Sequence, residues 1–107
     1  MKTLKFFGNL PELILLGKKN VTWRVEDDKN LVVGDIFSLL KFEDKSEFAQ
    51  AEIVWVKNTT FGDLNDDDWE GHERYSSDAE MYKTYSKYYS RDVGPSTKLK
   101  IIKFKLL

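Results

Sequence analysis

The sequence contains no cysteine, which excludes disulfide bonds, thiolate metal sites and thiol nucleophiles. Two prolines and six glycines punctuate 107 residues, and no stretch has the composition of a repeat or an interdomain linker. The 17 basic and 18 acidic residues nearly cancel, so the chain is not a domain that coats nucleic acid by bulk positive charge. The length suits one domain, which we expect to cover residues 1–107.

Long apolar runs are also missing. The longest, such as residues 13–16, are far short of the roughly 20 residues that span a bilayer. Residues 1–8 hold two lysines and only two consecutive large apolar side chains, whereas a signal peptide needs an apolar stretch of about 7–15 residues. We therefore expect a cytoplasmic protein without a membrane partner.

The apolar fraction of 41% and the aromatic fraction of 14% are sufficient for a folded core. Residues 21–25 alternate between apolar and polar, as in a half-buried strand. A short helix is expected after Asn9, and a second helix follows a capping box formed by Ser77 and Glu80. With a polar turn at residues 27–30, the pattern predicts a mostly β, α+β domain: a small curled sheet or barrel with two short helices. Its strands are expected at residues 3–7, 21–25, 36–42, 48–57 and 98–107.

Two of these strands carry further predictions. In the strand at residues 48–57, alternation places either Ala49, Ala51, Ile53 and Trp55 or their neighbours on the buried face. In the last strand the alternation slips between Ile101 and Ile102. The slip predicts either a bulge or a strand that is buried on both faces.

Residues 17–24 read Gly-Lys-Lys-Asn-Val-Thr-Trp-Arg, which is the pattern G-x-K-x-x-T-x-R. Thr22 and Arg24 are two positions apart on a strand, so their side chains lie on one face, opposite the core. Lys19 stands where that strand begins, and its long side chain can reach the same face, with Lys18 as a second cation beside it. The pattern is either an ordinary solvated strand face or a binding site made of an ammonium, a hydroxyl and a guanidinium group.

Residues 61–80 contain eight acidic residues and one basic residue. The lone His72 lies between Glu70 and Glu73, but no H-E-x-x-H motif is present and the calcium-loop pattern fails. We therefore expect no metal and no cofactor, and a solvated acidic loop. Trp69 in this segment either fills the core or stacks on a base. The tyrosines of the second helix likewise either pack against the sheet or stack on bases.

Taken together, these motifs resemble the ASCH family, a small β-barrel fold related to the PUA domains that bind RNA. The resemblance covers nearly the whole chain, and the motifs occur in the family's order. They are Gly17, Lys19, Thr22 and Arg24 after a short helix, Val33-Gly34-Asp35, Phe48-Ala49-x-Ala51, Glu70-Gly71, the helix ending in tyrosines, and Ile101-Ile102-Lys103-Phe104.

The resemblance implies a cleft between the Lys/Thr/Arg face and the acidic loop, with RNA, a nucleoside or a nucleotide as ligand. One bacterial branch of similar length hydrolyses the acetyl amide of N4-acetylcytidine, using a lysine, a threonine and a glutamate. Lys19 and Thr22 match the first two by motif. For the glutamate we select Glu70, with Glu73 as its competitor, and we add Arg24, Lys18 and Trp69 as substrate-binding residues.

If the chain is an amidohydrolase, the Thr22 hydroxyl needs a base, and Lys19 serves only when it is neutral. Burial in a cleft and the charge of Lys18 would both lower the pKa of Lys19. Glu70 would protonate the leaving nitrogen or hold the cytosine face, and Arg24 would stabilise the oxyanion or bind a phosphate. A Lys19 paired with Glu70 would instead stay charged.

Three other functions stay open at the level of sequence. In a non-catalytic RNA- or nucleotide-binding module, Lys18, Lys19 and Arg24 would contact phosphate while an aromatic side chain stacks on a base. A ribonuclease could use the same basic face, although His72 has no histidine partner. A protein-interaction domain would have no nucleic-acid role at all.

Overall fold

The computed structural model describes residues 1–26 and 29–107. Among these residues, five strands form one sheet in the order β1-β3-β4-β5-β2, which confirms the predicted strand count. β1 pairs with β3 in parallel, and the other pairs are antiparallel. Asp27 and Asp28, the start of the predicted polar turn, lie outside the described residues. The strands are β1 Lys2–Phe6, β2 Val21–Arg24, β3 Ile36–Lys41, β4 Glu47–Thr60 and β5 Lys98–Leu106.

In the described part of the chain three α-helices accompany the sheet, one more than predicted: α1 Leu10–Leu15, α2 Asp66–Trp69 and α3 Asp78–Tyr89. The additional α2 is a single turn inside the segment that the sequence assigns to an acidic loop. It begins with a capping box, in which Asn65 and Asp68 each accept the other's backbone N–H at 3.0 Å. At α3 only half of the predicted capping box forms, because the Ser77 side chain accepts the Glu80 N–H at 3.1 Å without a reciprocal bond among the described contacts.

The sheet curls into a half-barrel and carries buried side chains on both faces. β5 shows this most clearly, since Ile102 belongs to one core cluster with Leu4 and Phe37, whereas Ile101 belongs to the other with Met81. The slip in the last strand therefore reflects burial on both faces, the second of the two predicted alternatives.

The bulge lies in the neighbouring strand instead. Opposite β5, the register of β4 shifts between Ile53 and Trp55, so that Val54 is an extra residue. For this reason Trp55 itself does not face inward; its neighbour Val56, the alternative that the prediction left open, packs against the core instead. Ile53, before the bulge, is fully buried. Trp55, after the bulge, is 43% exposed, because the extra residue shifts the alternation of side chains between the two faces.

β1 and β2 stand at the two ends of the strand order, and no pairing joins them within the described residues. Both nevertheless line the same cleft, so the half-barrel stays open along the seam between its edge strands. No helix in the described part of the chain is long and apolar enough to cross a membrane. The open seam is where the polar residues of the predicted site meet.

Candidate functional site in the seam between the edge strands

A cleft of about 300 Å³ occupies this seam. Its walls come from β1, from β2 and from the C-terminal half of α3, and its polar lining includes Lys19, Thr22, Arg24 and Glu73. Because the lining residues come from opposite ends of the sheet, the curl of the sheet creates the site.

β2 and the turn before it place three of these groups. Thr22 and Arg24 lie two residues apart on β2 and line the cleft together, as the alternation predicts. Gly17 ends α1 with a φ of +78°, in the left-handed region that favours glycine. The Lys18 N–H then donates to the Leu13 carbonyl at 2.9 Å, which turns the chain so that Lys19 points inward.

The segment after α2 supplies the carboxylate. Gly71 has a φ of +83°, and its carbonyl accepts the N–H groups of Asn20 at 2.9 Å and Val21 at 3.2 Å. A Cβ on Gly71 would meet the Asn20 Oδ1 at 1.9 Å, so any other residue would displace the Asn20 side chain as well as strain the left-handed backbone. Docked in this way against the start of β2, the segment brings Glu73 to Lys19.

Lys19 and Glu73 form a buried ion pair. The Lys19 Nζ lies 2.5 Å from the Glu73 Oε1 and donates a second hydrogen bond to the Val21 carbonyl at 2.6 Å. Lys19 is 2% exposed, and this burial lowers its pKa despite the opposing influence of the Glu73 charge. Burial alone would raise the pKa of Glu73, but His72 and Lys19 outweigh it and hold that pKa below its ordinary value.

His72 also contacts the Glu73 carboxylate. Its Nδ1 lies 2.8 Å from the Glu73 carbonyl oxygen and 3.2 Å from the Glu73 Oε1, and its Nε2 lies 3.3 Å from the Tyr85 hydroxyl. Burial, followed by the charge of Lys19, lowers the pKa of His72 to about 3. The ring is therefore neutral at neutral pH, which lets Nδ1–H donate to Glu73 while the Tyr85 hydroxyl donates to Nε2.

The sequence did not assign His72 and Tyr85 to the site. The imidazole ring of His72 stacks on Trp23 at 3.9 Å, and Tyr85 is buried in the same cluster as Trp23. The only signal in the sequence was the position of the lone histidine next to Glu73. Nothing local indicates a tyrosine 13 residues downstream as its partner.

Three exposed aromatic rings line the mouth of the cleft. Phe7 stacks against Phe42 at 3.9 Å between ring centres and against Tyr88 at 4.9 Å, nearly parallel to the latter. The exposed Lys5 also lines the cleft and has no described partner. We call the three rings the aromatic rim. They give the cleft flat apolar surfaces, and Lys5 adds a positive charge close to them.

The structure brings four of the seven predicted site residues together: Lys19, Thr22, Arg24 and Glu73. The choice of Glu70 over Glu73 needs correction, because Glu70 ends α2 and lines a separate cleft beside Trp55 and Lys57. A difference of three positions in the segment after α2 is enough to turn the carboxylate to the other side.

Lys18 and Trp69 also lie outside the cleft lining. Lys18 is exposed in the turn after α1. Trp69 is partly buried, with its ring 4.6 Å from that of Trp23 in an edge-on contact and the Arg74 guanidinium 5.2 Å above it. Of the two alternatives for Trp69, its position therefore corresponds to core packing.

Comparison with known proteins shows which fold the chain has. No protein-family model matches the chain. The solved structures that resemble it include an ASCH domain from Lactobacillus crispatus, with a TM-score of 0.68 and 16% identity over 98% of this chain and 79% of that one. A protein from Enterococcus faecalis gives a TM-score of 0.75 and 17% identity over 100% of this chain and 80% of that one.

These structures show that the chain has the fold of the ASCH domains, which is PUA-like, and together with the relatives in sequence they support the resemblance stated above. In sequence it is similar to the protein called N(4)-acetylcytidine amidohydrolase in strains of Escherichia coli, among them K12 and O157:H7. The identity is 28% over 105 residues, which cover 97% of this chain and 95% of the relative.

Proposed function

We propose that the chain hydrolyses the acetyl amide of N4-acetylcytidine, releasing acetate and cytidine. The observation that carries this proposal is the buried Lys19–Glu73 pair in the same cleft as Thr22. The similarity to proteins named N(4)-acetylcytidine amidohydrolase supports it, because the three residue types that the resemblance implies lie at one place in the fold.

Thr22 is the nucleophile of the proposed reaction. Its hydroxyl oxygen attacks the acetyl carbonyl carbon while its proton passes to neutral Lys19, and a C–O bond forms. The C–N4 bond then breaks, and cytidine leaves with the proton returned from Lys19. Water attacks the acetyl-threonine ester next, which releases acetate and restores the hydroxyl. Arg24, which lines the same cleft, stabilises the oxyanion of each tetrahedral intermediate.

Glu73 has a different role from the one expected of a glutamate at this site. Its pKa is held low, so it is ionised at neutral pH and has no proton to give to N4. It holds the amine of Lys19 in place at 2.5 Å and stabilises the ammonium that forms there after proton transfer. The lowered pKa of Lys19 raises the fraction of its amine that is neutral, although the ion pair with Glu73 favours the charged form of Lys19.

A second candidate, a non-catalytic nucleotide- or RNA-binding domain, is supported by the aromatic rim. Its rings are more than a third exposed at the cleft mouth, where they offer stacking surface to a base. A ribonuclease is less well supported. The lone His72 is buried, neutral and held by Glu73 and Tyr85, so it has no free nitrogen for acid–base work on a phosphodiester.

Acetate release from N4-acetylcytidine separates the two candidates. We expect turnover by the wild type, loss of about 100-fold or more in Thr22→Ala, and partial retention in Thr22→Ser, which keeps the hydroxyl. Lys19→Gln tests the base. An absence of acetate release at high protein concentration, in a sample that binds cytidine, would leave the binding domain as the function.

A further inference from the structure

β2 is an edge strand, so only one of its sides is hydrogen-bonded to the sheet. Within β2 the even-numbered residues, Thr22 and Arg24, point their peptide groups toward β5, because the carbonyl of Asn20 just before the strand accepts the Phe104 N–H at 3.0 Å and the register pairs Thr22 with Ile102. In an antiparallel ladder the odd-numbered residues then direct both N–H and C=O away from β5, toward the seam.

The neighbours of Trp23 on that side are already bonded. The Val21 N–H donates to the Gly71 carbonyl, and the Val21 carbonyl accepts from Lys19. The Val25 N–H donates to the Tyr89 hydroxyl at 3.2 Å. Trp23 lies between them, and its peptide N–H and C=O have no hydrogen-bond partner within residues 1–26 and 29–107.

Trp23 is 3% exposed and lines the cleft. A buried peptide group without a partner is costly, and nearly all such groups in folded proteins are satisfied. The indole N–H of the same residue is also buried without a partner among the described residues. The free peptide pair therefore points to a ligand that supplies one acceptor and one donor side by side.

We propose that the main chain of Trp23 binds the Watson–Crick edge of a cytosine base, with its N–H donating to ring N3 and its C=O accepting from N4–H. This assignment rests on the proposed function for the identity of the base. The Trp23 carbonyl lies on the Arg24 side of the residue, so this assignment directs the N4 substituent towards Arg24, which lines the cleft together with Thr22.

A peptide adding as a further strand fits this edge less well. Strand addition uses a row of alternating donors and acceptors. Here the N–H groups on either side of Trp23 are taken by Gly71 and Tyr89, which leaves a single donor–acceptor pair. The cleft of about 300 Å³ also suits a compact ring rather than an extended chain.

The test uses cytidine, which binds without reacting, and 3-deazacytidine, which replaces N3 with C–H. In NMR spectra of the wild-type protein we expect cytidine to shift the Trp23 amide proton downfield. The Thr22 and Arg24 amides, already in the ladder with β5, should shift less. 3-Deazacytidine should bind about 10-fold or more weakly, because the Trp23 N–H loses its acceptor.

Trp23→Phe is the matched variant, since it keeps the peptide group and removes the indole N–H. Discrimination between the two nucleosides should persist in it. Equal binding of both nucleosides by the wild type, an unmoved Trp23 amide, or loss of discrimination in Trp23→Phe would overturn the assignment. A protein that binds cytidine through Trp23 but releases no acetate would overturn the proposed reaction alone.

Discussion

The Lys19 ammonium and the Glu73 carboxylate are 54 positions apart in the chain and 2.5 Å apart in the fold. The turn at Gly17 positions Lys19, and the close approach of Gly71 to Asn20 positions Glu73. The pair therefore joins two segments that no local pattern connects, and its charge balance governs the chemistry available to Thr22.

Glu73→Gln tests this balance. The charge of Glu73 raises the pKa of Lys19, so its removal should lower that pKa further. Because Lys19 acts when neutral, the rate of acetate release rises with pH through the pKa of Lys19. We expect the rising limb to move to lower pH in Glu73→Gln and the plateau to fall about 10-fold or more, since the ammonium formed during reaction loses its partner.

Glu70→Gln is the control for that profile. Glu70 lines a separate cleft, so its amide variant should keep the wild-type pH–rate curve. A profile that changes in Glu70→Gln and not in Glu73→Gln would show that the sequence-based choice of Glu70 was right after all.

His72 makes the free energy of unfolding depend on pH below neutrality. Its pKa is about 3 in the folded protein and near 6.5 when unfolded, so the unfolded chain binds a proton first as the pH falls. The free energy of unfolding should drop by about 2 kcal/mol between pH 7.5 and pH 5. Urea titrations at both pH values measure this, and the lowered pKa of Glu73 adds to the loss only below its ordinary value of 4.5.

His72→Asn should abolish most of this slope, whatever its effect on stability at pH 7.5. The comparison depends on the difference between two pH values for each variant, so a general loss of packing cancels. A slope that persists in His72→Asn would mean that another group titrates in this range.

The sequence was sufficient for the parts of the site that depend on local periodicity. Alternation on β2 placed Thr22 and Arg24 on one face, and the structure shows both in the cleft. The position of Lys19 at the start of the strand likewise predicted that its side chain reaches this face, although the structure buries that side chain rather than leaving it solvated.

The residues that the sequence misplaced all depend on distant contacts. Glu70 and Glu73 lie in a non-periodic segment, and which of them meets Lys19 is set by the docking of Gly71 against Asn20. Trp55 faces outward because of a bulge at Val54, which the uninterrupted alternation of the strand does not reveal.

Gly71→Ala should therefore damage both stability and site. Left-handed backbone costs an alanine roughly 1–2 kcal/mol, and relieving the clash with Asn20 costs about 1–3 kcal/mol more. Gly34→Ala is the matched control, since Gly34 has a φ of +94° with open space around it. It should lose only the first contribution and keep full affinity for cytidine, whereas Gly71→Ala should lose affinity because Glu73 and Lys19 move apart.

The aromatic rim distinguishes a free nucleoside from a longer ligand. Phe42 is exposed on one side of Phe7, so Phe42→Leu should remove stacking surface with little effect on stability. If a neighbouring base stacks there, a dinucleotide that contains N4-acetylcytidine should lose about 5- to 160-fold in affinity, following about 1–3 kcal/mol per stacked base. The free nucleoside, held deeper at Thr22, should lose less than half of its affinity. Calorimetry with the two ligands measures the difference, and an equal loss for both would place the rim in contact with the acetylated base itself.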